Sequence, residues 1–275
     1  MKIVLLESLG VPEEVLNACA KPLTDAGHTF VAYPRDTDPQ VQIACAGDAD
    51  VIMIANMPLR GEVIAACPNL KYIDVAFTGV DHVDLEAARA SGCTEALAGT
   101  LDLLRPARDT DYNLRGDFGL EIYNAQALKE YKRLGLQSAT LSFELKLAQI
   151  RDLSKCLDTE LITYGRLPLM VTENCIIKNR SGRCGCDGVN QLTDRKGERF
   201  PVVKAPGCRS EILNAKTLFL ADKRGDYQRV GLWAARLLFT TESAAECVRV
   251  TERYLGRGSY EPKDYTRGLY YRDVE

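Results

Sequence analysis

Lys2-Ile3-Val4-Leu5-Leu6 decides how the front of this chain is read. It is a short β-branched apolar run, the mark of a buried strand. Pro12-Glu13-Glu14 then opens a helix, with proline in its first turn and carboxylates where the helix dipole favours them, and Gly27 ends it. Outward from there the same alternation repeats. Thr29-Phe30-Val31-Ala32-Tyr33, Ala49-Asp50-Val51-Ile52-Met53-Ile54 and Leu70-Lys71-Tyr72-Ile73-Asp74-Val75 read as strands. Helices are expected from Asp38-Pro39 to near Gly47, from about Gly61 to Ala66, and from Asp84 to Ala90. Strands separated by helices of this length pair in parallel through right-handed crossovers. The sequence thus predicts an α/β fold that begins with a flavodoxin-like doubly wound parallel sheet over residues 1–92.

A length of 275 residues gives room for two modest domains, and the composition, 46% hydrophobic and 27% charged, is that of an ordinary folded protein. No apolar run approaches the roughly 18–20 residues that would cross a bilayer. The opening carries an acid at Glu7 and no small-residue cleavage site, so a cytoplasmic protein without a membrane partner is expected. A net charge of −3 gives no general affinity for polyanions. Lys178, Arg180, Arg183, Arg195, Lys196 and Arg199 form a local basic stretch, read either as a solvated loop or as a surface for RNA. Ten cysteines in such a chain should stay reduced. Six of them (Cys19, Cys45, Cys67, Cys93, Cys156, Cys247) are scattered and read as small buried hydrophobes.

Asn56-Met57-Pro58-Leu59, Cys67-Pro68-Asn69-Leu70-Lys71-Tyr72-Ile73 and Ala76-Phe77-Thr78-Gly79-Val80-Asp81-His82-Val83-Asp84 carry a resemblance. Residues 1–92 resemble the substrate domain of D-2-hydroxyacid dehydrogenases. That resemblance implies that the loop Phe77, Thr78, Gly79, Val80 and Asp81 approaches the carboxylate of a 2-hydroxy or 2-oxo acid through backbone N–H groups. Glycine there allows close approach of a ligand to the backbone. The family places its nucleotide on a second domain with G-x-G-x-x-G, and no such motif occurs in this sequence. NAD is therefore not expected to be bound by this chain alone. His82 lies in the substrate loop and His28 follows a helix-ending glycine; neither reads as a proton-transfer residue.

A junction is placed at 93–112, where a polar, turn-like Arg105-Pro106-Ala107-Arg108-Asp109-Thr110-Asp111 interrupts the pattern. Leu114–Glu121, Ser138–Ser142 and Glu160–Gly165 read as strands; Asn124–Leu134 and Lys146–Lys155 read as helices. This is the rhythm of a (β/α) barrel, and residues 113–275 are expected to be a partial (β/α) barrel segment with a cysteine-rich subdomain. Cys175, Cys184, Cys186 and Cys208 have the spacing C-x8-C-x-C-x21-C, and thiolates gathered in this way hold a metal or an iron–sulfur cluster. The tail, Gly231–Thr240, reads as a strand with Trp233 in the core, followed by a capped helix to about Tyr254.

Gly116-Asp117-Phe118-Gly119-Leu120, Ser138–Leu145, Tyr164–Cys175, Leu192–Pro201 and Tyr265–Arg272 carry a second resemblance, to the C-terminal part of the peptidase U32 family, over residues 95–275. It implies an iron–sulfur cluster, [4Fe–4S], on Cys175, Cys184, Cys186 and Cys208, with zinc as the alternative. No histidine follows His82, which removes Cys–His and Ser–His pairs. Nucleobase or small-molecule modification is then expected rather than proteolysis, on an RNA or small-molecule substrate. Asp117, Glu121, Glu144, Glu173 and Asp194 are candidate acid/base groups. Glu144, Glu173 and the fork of Arg166 are taken as catalytic because they follow strands. Self-association, or a partner subunit completing the barrel, is expected. The leading reading is a U32-type protein joined to a dehydrogenase-type domain. The alternatives are an oxo-acid-binding relative of D-2-hydroxyacid dehydrogenases without its own NAD domain, and a recombined reading frame without function.

Overall fold

Four short strands pair in parallel at the front of the chain. The computed structural model describes residues 1–75, 82–92, 94–101, 104, 112–183, 185, 190–205 and 209–272. They divide into two compact units, Met1–Thr94 and Glu95–Glu275. In the first unit β1 (Lys2–Leu5) leads through α1 (Glu13–Asp25) to β2 (Thr29–Ala32), and α2 (Pro39–Ala46) to β3 (Val51–Ile54). α3 (Gly61–Ala65) then precedes β4 (Tyr72–Val75), and α4 (Leu85–Ala90) follows it. The strand order is β2-β1-β3-β4, all parallel. The chain winds one way from β1 to β2 and the other way from β3 to β4, which is the doubly wound arrangement read from the sequence.

The reasons are local. Val4, Ile52 and Ile54 are wholly buried, and Met57, Leu59, Val63 and Ile64 close the core over them. Burying each such side chain contributes about 1.5–3 kcal/mol. Asp38 caps α2 by accepting from Gln40 N at 2.9 Å, and Asp84 caps α4 by accepting from Ala87 N at 3.0 Å.

The second unit opens with β5 (Glu95–Ala98), β6 (Asn113–Gly116), α5 (Ala125–Arg133), β7 (Leu136–Thr140), α6 (Leu147–Asp152) and β8 (Asp158–Gly165). β9 (Pro168–Thr172), α7 (Ile176–Ser181), β10 (Asn190–Thr193), β11 (Arg199–Ala205), β12 (Arg209–Leu213), β13 (Thr217–Phe219) and α8 (Arg224–Gln228) follow. The chain ends with β14 (Ala234–Leu238), α9 (Ala244–Tyr254) and β15 (Tyr265–Thr266). β5, β6, β7, β8 and β14 are joined in chain order by parallel pairing. Along these strands Leu114, Ala139, Leu141 and Leu161 are buried in one core with Leu128 of α5 and Ile150 of α6. The alternate residues Arg115, Ser138, Thr140, Glu160 and Arg236 are polar, as the two-residue period of a strand requires when one face is covered.

The expected barrel segment needs correction. β13 pairs antiparallel with β8 and carries β15 beyond it, so the described sheet is a mixed, open one of seven strands. In place of the expected cysteine-rich subdomain, the described residues of this stretch form a four-stranded antiparallel sheet, order β10-β11-β12-β9. The strand read at Leu114–Glu121 stops at Gly116, because Asp117 turns its carboxylate onto Phe118 N and starts a 3-10 turn. Trp233 is 52% exposed rather than in the core, with Arg115 over its ring at 4.8 Å. Of the scattered cysteines, Cys67 is buried, Cys45, Cys156 and Cys247 are half-buried, Cys19 is exposed, and Cys93 lies outside the described residues. Gly165 (φ 128°) sits at the end of β8 where any added Cβ would overlap the Leu238 carbonyl of β14. No described helix is long and apolar enough to cross a membrane.

Candidate functional site

The strand order reverses between β1 and β3, and open α/β sheets bind ligands in the crevice outside the carboxyl ends of the strands at such a point. Glu7 stands there, one residue past the buried Leu6, with only 2% of its surface exposed. Its Oε1 accepts from Ala55 N and Met57 N, each at 2.7 Å. Its other oxygen pairs with the Arg35 guanidinium, which reaches in from beyond β2. Arg35 also donates to Asn56 Oδ1 at 2.6 Å. A buried carboxylate with two backbone N–H donors and a guanidinium is satisfied at every contact. It clamps the turn after β3, the segment that carries Asn56-Met57-Pro58-Leu59.

A second clamp lies beside it. Leu59 N donates to His82 O at 2.8 Å, Asp84 N donates to Leu59 O at 3.0 Å, and Leu59 bridges Val83. Residues on both sides of the expected substrate loop are thus tied to the frame: Val75 in β4 before it, Val83 after it. Phe77, Thr78, Gly79, Val80 and Asp81 themselves lie outside the described residues. Asp74 in β4 is held above the usual carboxylate range by its burial.

In the second unit the three residues taken as catalytic have separate partners. Glu144, beyond β7, accepts from Tyr123 Oη at 2.5 Å. Ser142 Oγ receives Glu144 N at 3.3 Å and lies 3.4 Å from the Glu121 carboxylate. Burial first, and then the bond to Glu144, pushes the Tyr123 hydroxyl up to about 12. Arg166 donates Nη1 to Asn214 O at 2.9 Å and to Ala215 O, a use that fixes a loop. Glu173 is 87% exposed and 3.5 Å from Arg209. Of the other acid/base candidates, Asp194 accepts Lys196 N and Glu198 N in a hairpin turn. Asp117 joins a network that sequence reading missed: Arg236 bridges Asp117 and Glu160, and Thr140 Oγ1 donates to Glu160 at 2.5 Å. Glu7 and Arg35 were missed too, although a lone acid directly after the apolar run of β1 is a signal that can be found.

The iron–sulfur reading, and zinc with it, is corrected. Cys175 is buried as the N-cap of α7, where its sulfur accepts from Lys178 N at 3.4 Å. That sulfur serves a helix end. Among the described residues no group of three or more His, Cys, Asp or Glu side chains is assembled to hold a metal. Cys184, Cys186 and Cys208 lie outside the described residues.

Residues 3–98 match the family model of the D-isomer specific 2-hydroxyacid dehydrogenase catalytic domain. The chain is similar to a Haemophilus influenzae protein named for 2-hydroxyacid dehydrogenase activity, 32% identical over 92 residues, which are 34% of this chain and 28% of that one. It is similar to glycerate dehydrogenase of Methylorubrum extorquens (36% over 67 residues; 24% and 21% of the chains). Hydroxypyruvate reductase of Blautia hydrogenotrophica is 36% identical over 94 residues (34% and 28%). The matched stretch thus spans under a third of each relative's length. Among solved structures, NAD+-bound 3-phosphoglycerate dehydrogenase of Entamoeba histolytica aligns with a TM-score of 0.32 at 15% identity, over 58% of this chain and 71% of that one. These matches overturn the U32 function expected above: the matching proteins are dehydrogenases, and Glu144, Arg166 and Glu173 share no partner.

A nicotinamide dinucleotide seats its pyrophosphate over a glycine-rich turn and a helix N-terminus at a strand-order reversal. The first unit has the reversal, but its β1–α1 turn, Glu7-Ser8-Leu9-Gly10-Val11-Pro12, holds a single glycine, and Glu13 and Glu14 place negative charge in the first turn of α1. The parallel strands of the second unit follow chain order without a reversal among the described residues. Among the described residues neither of these two sheets combines the reversal with a glycine-rich turn.

Proposed function

We propose that the first unit binds a small 2-hydroxy or 2-oxo acid, as the substrate-holding part of an oxidoreductase of the D-2-hydroxyacid dehydrogenase type whose nucleotide is held by a separate domain or chain. The family match over 3–98, laid on a sheet whose order reverses between β1 and β3, carries this reading. In the proposal, backbone N–H groups of Phe77–Asp81 take the carboxylate. Glu7 acts as a positioning residue: it fixes the turn after β3 that faces the acid. Arg35 holds Glu7 in place and neutralises its charge, so that the buried carboxylate does not repel an anionic ligand.

Calorimetric titration of the full chain with pyruvate, glycerate and hydroxypyruvate tests it. Saturable binding is expected, lost in Gly79→Val because a side chain there would block the approach of the carboxylate. Propionate, which lacks the 2-oxygen, should bind at least about tenfold more weakly, a difference of about 1.4 kcal/mol. Absence of heat with all three acids, or equal binding by Gly79→Val, defeats the proposal.

A further inference from the structure

Apart from the crevice of the first unit, an open pocket of about 560 Å³ lies in the second. It forms where β8 ends at Tyr164-Gly165-Arg166 and where the turn after β14 enters α9. Carboxyl ends of parallel strands are where sheets of this kind present ligand sites.

The charges of its wall are unusual in how they are held. Arg166 is fixed by the carbonyls of Asn214 and Ala215. Neutral acceptors orient a guanidinium without cancelling its charge. Arg249 lies over the Tyr260 ring at 5.7 Å. Lys263 is a third cation on the wall. The acids are held just as separately. Glu242 accepts from Thr240 N at 2.7 Å and Thr241 N at 3.0 Å. Glu246 closes the capping box of α9 by accepting from Ser243 N at 3.1 Å and Ser243 Oγ at 3.0 Å. Those bonds, and after them the charges of Arg249 and Arg166, keep the Glu246 carboxyl below the usual range. Glu261 bears on the Tyr265 hydroxyl. Asp264 alone among the acids of the wall is in an ion pair, with Lys216 at 3.5 Å.

Three cations and four acids therefore line one space, and among the described residues no ion pair joins a cation of the wall to an acid of the wall. A purely anionic ligand would meet Glu242 and Glu261. A purely cationic one would meet Arg166 and Lys263. A molecule bearing both charges a few bonds apart satisfies both sets.

We infer that this pocket binds a free α-amino acid, its carboxylate toward Arg166, Arg249 and Lys263 and its ammonium toward Glu242 and Glu261. The Tyr164 hydroxyl, on a side chain 1% exposed, stands against Glu242 and Tyr260 and supplies a fixed polar floor. The volume admits an amino acid with an extended side chain. This assignment stands apart from the oxo-acid reading of the first unit.

The test is calorimetry on the full chain with glycine, serine, glutamine and arginine, each in the presence of saturating glycolate. Glycolate occupies an oxo-acid site in the first unit but has no ammonium; ethanolamine, which has no carboxylate, is the opposite control. At least one amino acid should bind under these conditions, and both controls should fail to compete for it. Lys263→Gln and Glu261→Gln, at exposed positions, should each weaken it about tenfold with unchanged thermal unfolding. Loss of pyruvate binding in Gly79→Val should leave the amino acid affinity unaltered. The inference is overturned if no amino acid binds, if glycolate or ethanolamine displaces it, or if both pocket variants bind as the parent does.

Discussion

The parallel sheet of the first unit and the mixed sheet of the second handle charge in opposite ways. In the first unit a single carboxylate, Glu7, is almost completely buried at the strand-order reversal and is spent on two backbone N–H groups and Arg35. In the second, whose parallel strands run in chain order, the charges are spread over a face: Arg236 links Asp117 of the β6 end to Glu160 of β8, while Arg115 pairs with Glu95 and donates to Ser138 at 3.1 Å. A reversal concentrates polar groups at one point, because only there do two neighbouring loops diverge and leave room. A sheet without one keeps its polar residues as a band, with helices over the other face. The first pattern makes a crevice; the second makes a platform that needs further elements, here α9 and the C-terminal tail, to form a pocket.

Substitutions can break this contrast. The largest effect is expected for Glu7→Ala, which strands two buried N–H groups and the inner side of Arg35. It should cost about 3 kcal/mol in denaturant unfolding, with hydrogen exchange accelerated in Met1–Thr94 and not in Glu95–Glu275. Equal acceleration in both units would refute the local role. Arg236→Met should come next, at about 2 kcal/mol, because it leaves Asp117 and Glu160 facing each other. Adding Glu160→Gln should recover part of that loss; simple additivity would mean that the three groups are not coupled.

Tyr123→Phe should cost about 1 kcal/mol near neutral pH by removing the bond to Glu144. The hydroxyl titrates higher in the folded chain, at about 12, than its ordinary value of 10. Its contribution is therefore complete below pH 10 and is lost as the pH rises through 12. Alkaline unfolding should show the parent's advantage over Tyr123→Phe vanishing across that window. The smallest effect is expected at Asp74, whose raised value marks a charge that folding disfavours. Stability tied to it is present in acid and falls as the pH rises, so Asp74→Asn should raise Tm by about 1–3 °C at pH 7 and by less at pH 4.

How far the sequence could be read depended on distance along the chain. The runs at Lys2–Leu6 and Ala49–Ile54 carry their own strand signal; the first strand ends one residue earlier than expected, and the second begins two residues later and ends where expected. The helix starts at Asp38 and Asp84 were legible for the same reason, since the cap that each makes in the structure reaches only two or three residues onward. Glu7 and Arg35 are 28 residues apart, and Asp117 and Arg236 are 119 apart. No periodicity links such pairs; only the pairing of strands brings them together. Cys175 shows the converse error. Its place in a four-cysteine spacing suggested a ligand, whereas its immediate neighbours make it a helix cap. Spacing shows which side chains could meet, and the chain between them decides whether they do.

Gly165 offers a practical consequence. The carbonyl of Leu238 occupies the volume that any other residue's first side-chain atom would need, and the backbone there is in a region that only glycine enters freely. A saturation library at this codon, screened for expression as an intact product, should return the parental residue alone. Position 165 is then a built-in reporter of whether the back half of the molecule has zipped up around its longest strand, readable by sequencing survivors rather than by any assay of activity.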